Sequence, residues 1–435
     1  MAIPKAGPGP LAGLDAYLKP FAQMLSRVES REALERYTTG LLADIERKTA
    51  SGIGRSIPET NSQRLQEFLT RTDWDPAQMD RLRIGHMLAH ATAGHGALVL
   101  DDTGFAKKGT HTVGVARQYS GTLGRVDNCQ VLVTCQYVDA MFDWPVNARL
   151  YLPEVWTNDP ERCRKAMVPE KTGFATKGEI ALTLIDEALE AGVKPAVVVF
   201  DAGYGDQPSL LDGLESRRMA YGAAVSGIVR FRLADAVRAD SGDPPAPEYR
   251  GTGRPRKAST LETRVASQEA RAIIENAPPE DWQTVTWRQG RKGALVKQCV
   301  RIPVFRTGLR GRHLDSSGWL IAERPLPGHS GETKYFFTWG LDGLSLEKLI
   351  EQLHVRWVIE RFYQDAKGEL GLDHYEGRLW QGFHRHVSLV MLAHCFLTLQ
   401  QTYGPAELIS GSQAPSGAFP PHGAKQRGRL EAPRP

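Results

Sequence analysis

Acidic residues stand beside apolar segments at three distant places in the chain, where they could hold metal ions. Asp101 and Asp102 follow the apolar run Ala97–Leu100, Asp201 follows another apolar run, and Glu360 lies in a segment with helical spacing. Strand ends and a neighbouring helix can bring such residues to one point. Each aspartate also has a simpler explanation, because an aspartate after a strand commonly caps a turn or a helix by bonding its own backbone.

Carboxylate oxygens are hard ligands, and the sequence around these residues offers no soft ligands. The five cysteines are scattered, odd in number, and show neither a CxxC pair nor the Cys/His spacing of a zinc site. Such a ligand set favours Mg²⁺ or Mn²⁺. Two such ions would suit phosphoryl transfer, with one activating the attacking oxygen and the other stabilising the leaving oxygen. We read the cysteines as reduced core thiols.

The segment around Glu360 has charges on one helical stripe. At about 100° per residue, Arg356, Glu360 and Lys367 fall within one narrow arc. The apolar residues fall on the other side: Val355, Val358, Ile359, Phe362 and Ala366. Taken alone, this stripe is better explained as an ordinary solvated helix face with an i,i+4 ion pair, because such pairs are common on surface helices.

Composition predicts an ordinary folded protein of two or three domains. The formal net charge of +4 permits a polyanionic partner without requiring one. The start of the chain lacks a basic segment followed by an apolar run, and no stretch reaches the about 18 apolar residues of a membrane helix. We therefore expect an intracellular, soluble protein without a membrane partner.

Hydrophobic periodicity predicts five segments. Residues 1–92 have helical spacing and form a candidate DNA-binding domain, and residues 93–221 alternate strands and helices as an α/β unit. Residues 222–340 contain short strand-like pieces and predict a β-rich insertion. Residues 341–403 predict helices, and residues 404–435 have the composition of a disordered tail. The first strand is expected to close on its two aspartates and a turn, and to begin an antiparallel meander of three strands.

Basic and aromatic residues near these segments suit a DNA partner. The candidates for phosphate contact in the glycine-rich segment after the first strand are Lys107, Lys108, Arg117 and Arg125. Arg254 and Arg256 belong to a Gly-Arg-Pro-Arg-Lys stretch that resembles a minor-groove-binding AT-hook core. Trp357 and Tyr363 flank the charged arc and could stack on an unpaired base. A solvated loop, a solvated linker and helix packing are the respective alternatives.

The chain resembles DDE-type insertion-sequence transposases of the ribonuclease H-like superfamily over roughly residues 80–400. The motifs are LVLDDTGFAKKG with VGVARQYSGTLGRVDNCQ, then VVVFDAGYG, then Arg356-x3-Glu360-x6-Lys367. In that group a tyrosine usually opens the last pattern, and Leu353 stands in its place here.

The resemblance implies a ribonuclease H-like mixed-sheet catalytic core with a β-rich insertion, preceded by a helical domain. It implies Mg²⁺- or Mn²⁺-dependent cleavage of double-stranded transposon ends and strand transfer into target DNA. Asp101, Asp201 and Glu360 would hold two ions, and Arg356 and Lys367 would contact phosphates. Asp101 is chosen over Asp102 because the family's first aspartate stands two residues before a threonine. It further implies a homodimer bridging two inverted-repeat ends, in the nucleoid of a prokaryotic cytoplasm.

Two other functions remain open. A nuclease of the same fold would use the same carboxylates without joining strands. A transposase-derived DNA-binding regulator would keep the fold and the basic surface without chemistry, although the presence of all three carboxylates argues against it.

Overall fold

The computed structural model describes residues 11–91, 94, 96–240, 265–290, 293–307 and 317–403. These residues fall into two compact units. The first contains residues 11–221 and 355–403, and the second contains the described parts of 222–354. The elements are helices and a large mixed sheet, with helices preceding the first strand. This architecture confirms the predicted α/β fold with a ribonuclease H-like core after a helical region. The segment boundaries expected from the sequence remain a prediction.

The first unit begins with five helices, three of which start at a side-chain cap. They are α1 (Leu14–Ala22), α2 (Val28–Leu42), α3 (Ala50–Ser56), α4 (Ser62–Thr70) and α5 (Pro76–Leu88). The side chains of Thr49, Asn61 and Asp75 accept hydrogen bonds from backbone amides in the first turns of α3, α4 and α5, which would otherwise lack partners.

Five strands form the sheet of the first unit, in the order β2-β3-β1-β5 with β4 also paired to β3. They are β1 (Ala97–Ala106), β2 (Ala116–Ser120), β3 (Arg125–Val138), β4 (Asp143–Leu150) and β5 (Val197–Phe200). The antiparallel meander is present with one more strand than expected. The prediction that the first strand closes on its aspartates was wrong, because β1 pairs with β3 from Ala97↔Val138 to Ala106↔Cys129.

Five helices of the first unit follow β4 in the chain, three before β5 and two after it. They are α6 (Glu154–Thr157), α7 (Pro160–Lys165), α8 (Lys177–Glu190), α9 (Ala202–Gly205) and α10 (Pro208–Ser216). The predicted helix after residue 176 is confirmed and starts with a capping box between Thr176 and Glu179. Its residue Glu187 pairs with Arg149 of β4 at 2.5 Å, which ties α8 to the sheet.

The last helix of the first unit fills its centre. Helix α15 (Trp380–Tyr403) is buried along most of its length and packs against β4, α2, α4 and α5. The candidate DNA-binding helices therefore pack on the last helix of the same compact unit. Arg83 of α5, fully buried, donates to the carbonyl oxygens of Pro145 and Val146 and pairs with Asp80 at 3.0 Å. These bonds satisfy a guanidinium that would be costly to bury alone.

The second unit is β-rich in its described residues. Its strands are β6 (Tyr221–Val225), β7 (Arg230–Leu233), β8 (Gln268–Glu269), β9 (Gln283–Gly290), β10 (Gly293–Arg306), β11 (Ser317–Arg324) and β12 (Lys334–Trp339). They follow the order β6-β12-β11-β10-β7-β8, with β9 paired to β10. Its helices are α11 (Ala234–Arg238), α12 (Ala270–Glu275), a 3₁₀ turn (Pro279–Asp281) and α13 (Leu346–His354).

Helix α13 covers one face of this sheet with an apolar stripe. Leu346, Leu349, Ile350 and Leu353 pack against side chains such as Ile321 of β11. At the end of the helix, His354 contacts the fully buried Glu323 at 2.6 Å, and Lys297 contacts the same carboxylate at 2.9 Å. Leu353, which replaces the family's tyrosine, is thus a core residue of the second unit.

The helix expected to run on from residue 345 is divided in two. Helix α13 ends at His354, and α14 (Trp357–Gly368) begins three residues later. The residues before and after this break belong to different compact units. Helical periodicity alone could not find the break, because no Pro or Gly marks it.

The described part of the chain contains no helix long and apolar enough to cross a membrane. All five cysteines are free, and four of them are buried, as expected for core thiols.

We predict acid-sensitive stability from His386 of α15. Burial lowers its pKa to about 4, and its ring contacts the Tyr37 hydroxyl at 2.9 Å and the Gly371 carbonyl at 3.0 Å. The unfolded chain therefore binds the proton first on acidification, so this stability is present above about pH 6.5 and is lost as pH falls toward 4. Between pH 6.5 and 4, urea unfolding should show that His386→Gln loses less unfolding free energy than wild type, by on the order of 2–3 kcal/mol.

The exposed His111 provides the control, and His111→Gln should keep the wild-type pH dependence. An unchanged pH dependence in His386→Gln would contradict the prediction.

Candidate catalytic site

The first and fifth strands bring two of the three predicted carboxylates side by side. Strands β1 and β5 are parallel neighbours with Leu100 opposite Phe200. The next residue of each chain is Asp101 and Asp201 respectively, so the register carries both aspartates out of the apolar layer together. Parallel strands are buried on both faces, which explains the continuous apolar runs before the two residues.

Asp101 is a half-buried carboxylate held by two bonds. Its Oδ1 accepts from the Asp102 amide at 2.7 Å, and its Oδ2 lies 3.3 Å from the Arg356 guanidinium. Burial and the nearby charge of Asp201 raise the pKa of Asp101 to about 7, against the opposing effect of Arg356. A nearby negative charge raises the pKa of a carboxyl group because two like charges close together repel each other. Such a shift is typical of functional sites.

Asp201 also caps a helix, which is the simpler explanation for an aspartate after a strand. Its side chain caps α9 by accepting from the Tyr204 amide at 3.3 Å. Burial raises the pKa of Asp201, while Arg356 and the bonds from the backbone amides of Tyr204 and Gly203 lower it. One residue therefore ends the strand, starts the helix and places a carboxylate beside Asp101.

Arg356 joins the third predicted carboxylate to the first. Its guanidinium contacts Asp101 at 3.3 Å and Glu360 at 3.1 Å. Arg356 precedes α14, and Glu360 lies in the first turn of that helix. The Glu360 side chain is 65% exposed, whereas that of Asp101 is 15% exposed. Glu360 thus stands at the open side of the site.

Lys367 lies further along α14 and turns onto β1. Its ammonium donates to the Gly104 carbonyl at 3.1 Å and lies 5.3 Å from the centre of the Phe105 ring. Burial lowers its pKa. The predicted arc therefore has two parts, an ion pair at the carboxylates and a lysine that holds α14 to the strand.

Asp102 faces a different set of partners from Asp101. Its Oδ2 accepts from the Lys177 ammonium at 2.9 Å and from the Tyr204 hydroxyl at 3.4 Å. The expectation that a turn follows the two aspartates does not apply here, because residues 103–106 continue β1. Lys177 and Tyr204 were not among the predicted site residues, and only their long-range contacts identify them.

Tyr363 of α14 is half-buried beside the carboxylates. Its hydroxyl lies 2.5 Å from the Thr134 hydroxyl, which donates to the Asp101 carbonyl at 3.3 Å. Burial and the charge of Asp101 raise the pKa of Tyr363 well above its usual value. The packing alternative to base stacking therefore describes Tyr363 in this structure. No sequence signal distinguished it from other helix aromatics.

The predicted DNA-contacting residues have varied surroundings. The Lys107 ammonium donates to the carbonyls of Asp373 at 3.3 Å and Tyr375 at 2.9 Å. Arg125 is exposed and pairs with Asp127 at 2.8 Å. Trp357 is half-buried, with the Arg361 guanidinium 5.0 Å from its ring.

Four other candidates complete this set. Lys108 and Arg117 are exposed. Arg254 and Arg256 lie outside the described residues.

The pair Asp101 and Asp201 fits a divalent cation. Their mutual repulsion and burial favour a compensating positive charge, and a bound ion would supply more charge than a shared guanidinium. Within the described ranges, however, no three Asp, Glu, His or Cys side chains form a group that could hold an ion as they stand. Glu360 is paired with Arg356 and must leave it to become a third ligand.

Comparison with known proteins bears on this site. The family model described as DDE superfamily endonuclease matches residues 20–294. This match covers more than half of the chain. The chain belongs to the DDE superfamily of endonucleases. The matched region contains Asp101 and Asp201 and ends before Glu360.

One curated relative of this chain is a "Probable transposase for insertion sequence element IS701" from Microchaete diplosiphon. It is 31% identical over 206 residues, which are 47% of this chain and 51% of the relative. The chain thus spans about half the length of that relative. The family match and this relative confirm the resemblance to DDE-type insertion-sequence proteins.

The two adjacent aspartates should have opposite effects on the stability of the protein without divalent cations. The pKa of Asp101 is raised from 3.8 to about 7, so the folded state keeps a proton that the unfolded chain has lost, and stability falls as pH rises between these values. Asp101→Asn should therefore raise the free energy of unfolding at pH 8 by on the order of a few kcal/mol. At pH 4 the gain should be small.

Asp102→Asn is the matched variant one residue away. It loses the ion pair with Lys177 and should lower the free energy of unfolding by about 1 kcal/mol. Urea unfolding in EDTA at pH 4 and pH 8 measures both effects. Destabilisation by Asp101→Asn at pH 8 would show that its carboxylate is better compensated than the geometry indicates.

Proposed function

We propose that the protein is a DNA transposase that cleaves transposon ends and joins them to target DNA with divalent metal ions. The observation that carries this proposal is the parallel register of β1 and β5, which places Asp101 beside Asp201. Arg356, directly before α14, contacts Asp101 and also Glu360 in the first turn of that helix. Family membership and the insertion-sequence relative support the choice of DNA as substrate.

The proposed site holds two Mg²⁺ or Mn²⁺ ions. Asp101 and Asp201 would hold one ion, and Asp101 and Glu360 the other. When bound, the ions supply the charge that activates an attacking oxygen and stabilises a leaving oxygen. Asp101 lies in β1 and Asp201 directly follows β5. Their short side chains extend from paired backbone, so they would fix the position of the ions.

Arg356 is the residue that links DNA binding to this site. It compensates the charge of Asp101 and pairs with Glu360 in the structure. A DNA phosphate offers the guanidinium a bidentate partner of the same charge as a carboxylate. Transfer of Arg356 to a phosphate would release Glu360, so the third ligand becomes available when DNA is present.

The remaining partners are proposed from the family. The active species would be a homodimer that bridges two inverted-repeat ends, in a prokaryotic cytoplasm at the nucleoid. Lys108 and Arg117, both exposed, are the described candidates for contacts with DNA phosphates.

We predict metal-dependent cleavage of a plasmid that carries the coding sequence with its native flanking DNA. Wild-type protein should cut at the flanks in Mg²⁺ or Mn²⁺, and should show no cutting in EDTA. Asp101→Asn, Asp201→Asn and Glu360→Gln should each reduce the rate by about 100- to 1,000-fold, because each loses a metal ligand worth several kcal/mol. Gel analysis of the products measures cutting, and sequencing of joined products measures strand transfer.

Asp186→Asn is the control for this assay, because it removes a carboxylate of α8 that pairs with Arg217. Cleavage that persists in EDTA, or that survives all three site variants, would refute the proposal. Cleavage without joined products would instead assign the protein as a nuclease of the same fold.

A further inference from the structure

A hairpin beside the catalytic strand presents an exposed apolar pair. Strands β2 and β3 are joined by residues 121–124 and pair in antiparallel register, with Tyr119 opposite Val126. Tyr119 is 61% exposed and Val126 is 53% exposed. Single exposed apolar residues are normal on a surface, but two that face each other across a hairpin form one contact patch.

An exposed arginine shares the face of this patch, and the segment around it carries more positive than negative charge. Arg117 lies on the same face of β2 as Tyr119, two residues before it, and is exposed. Residues 105–128 contain four Lys or Arg residues and one carboxylate, Asp127. Arg125 pairs with Asp127, whereas the ammonium of Lys107 is bonded to backbone carbonyls. Lys108 and Arg117 are exposed, and Arg117 lies close enough to Asp127 to contribute to the lowered pKa of that carboxyl; both cations complement a polyanion.

The hairpin is attached directly to the strand that carries Asp101. The Thr122 hydroxyl accepts from the Gly104 amide at 3.1 Å and lies 3.3 Å from the Thr103 hydroxyl. A Cβ atom at Gly104 would lie 2.0 Å from the Ser120 hydroxyl, so only glycine permits this approach. A ligand bound to the hairpin is thus held close to β1, whose residues Thr103 and Gly104 stand two and three positions after Asp101.

We propose that the β2–β3 hairpin binds duplex DNA, with Tyr119 and Val126 in apolar contact with the groove and Arg117 on the backbone. A two-stranded ribbon has a width that the major groove admits, and an exposed aromatic beside an arginine is a common centre of binding energy. The inference rests on the proposed function, because it places the substrate of that reaction on this face. It adds the hairpin as the element that holds the duplex.

Full-length protein and a fluorescent 40-base-pair duplex of arbitrary sequence, in EDTA, test the inference without any cleavage. Tyr119→Ala should weaken binding about tenfold, and Tyr119→Phe should bind as wild type because the ring remains. Arg117→Ala should reduce the slope of log affinity against log salt concentration by about one unit. Melting temperatures should stay unchanged, since both side chains are exposed.

Val155→Ala is the control, because Val155 is similarly exposed at 58% and lies in α6, outside the hairpin. It should bind as wild type. Wild-type affinity in Tyr119→Ala, or a wild-type protein that fails to bind the duplex, would overturn the inference. A change of oligomeric state in Tyr119→Ala, with unchanged DNA affinity, would overturn it in favour of contact with a second copy of the chain.

The plasmid cleavage assay separates this inference from the proposed function. If the wild-type protein cleaves the plasmid, and Tyr119→Ala binds the duplex and cuts as well as wild type, the hairpin inference fails. The transposase proposal then stands. Loss of duplex binding in Tyr119→Ala, together with no wild-type cleavage in either metal, would keep the hairpin as a DNA contact and remove the proposed function.

Discussion

The parallel pairing of β1 with β5 is the constraint on which the candidate site depends. Side chains alternate between the two faces of a strand, so a shift of one residue in this register would turn one aspartate away from the other. The register is fixed on both edges of β1, by β5 over four residues and by β3 over ten. Because β5 ends at Phe200 while β1 continues to Ala106, the edge of β1 beyond Leu100 is open to other groups. The Thr122 hydroxyl bonds there to the Gly104 amide.

Burial of two aspartates together works against the stability of the fold. Burial and the charge of Asp201 raise the pKa of Asp101, which means that the folded protein holds this carboxylate in an unfavourable state at neutral pH. Arg356 offsets part of this cost. A site of this kind gains more from a cation than an ordinary surface carboxylate does, and such strained sites are expected where function outweighs stability.

Local sequence patterns singled out four residues that the structure places near one another, and their roles in the site stay a prediction. Asp101 and Asp201 were singled out because each follows a buried apolar run, and Arg356 and Glu360 because their spacing places them on one helical stripe. The same reasoning failed for Thr103 and Gly104, whose turn preference was overridden by pairing with β3.

Long-range contacts could not be found in this way. Asp102 meets Lys177 and Tyr204, which are 75 and 102 residues away in the chain. Neither partner carries a local signature, since a lysine at a helix start and a tyrosine in a short turn occur in any α/β protein. Roles of this kind are set by the fold, which brings the start of α8 and the start of α9 to the same side of β1.

Two lysines near the site bond to backbone carbonyls of the protein. Lys107 donates to carbonyls of the segment after α14, and Lys367 donates to a carbonyl of β1. Burial lowers the pKa of both, so each ammonium is held by oxygen atoms of the protein in place of water. These bonds fix α14, and with it Arg356 and Glu360, against the strand that carries Asp101. In this structure these two ammonium groups bond to backbone carbonyls, whereas the predicted phosphate contacts Lys108 and Arg117 are exposed.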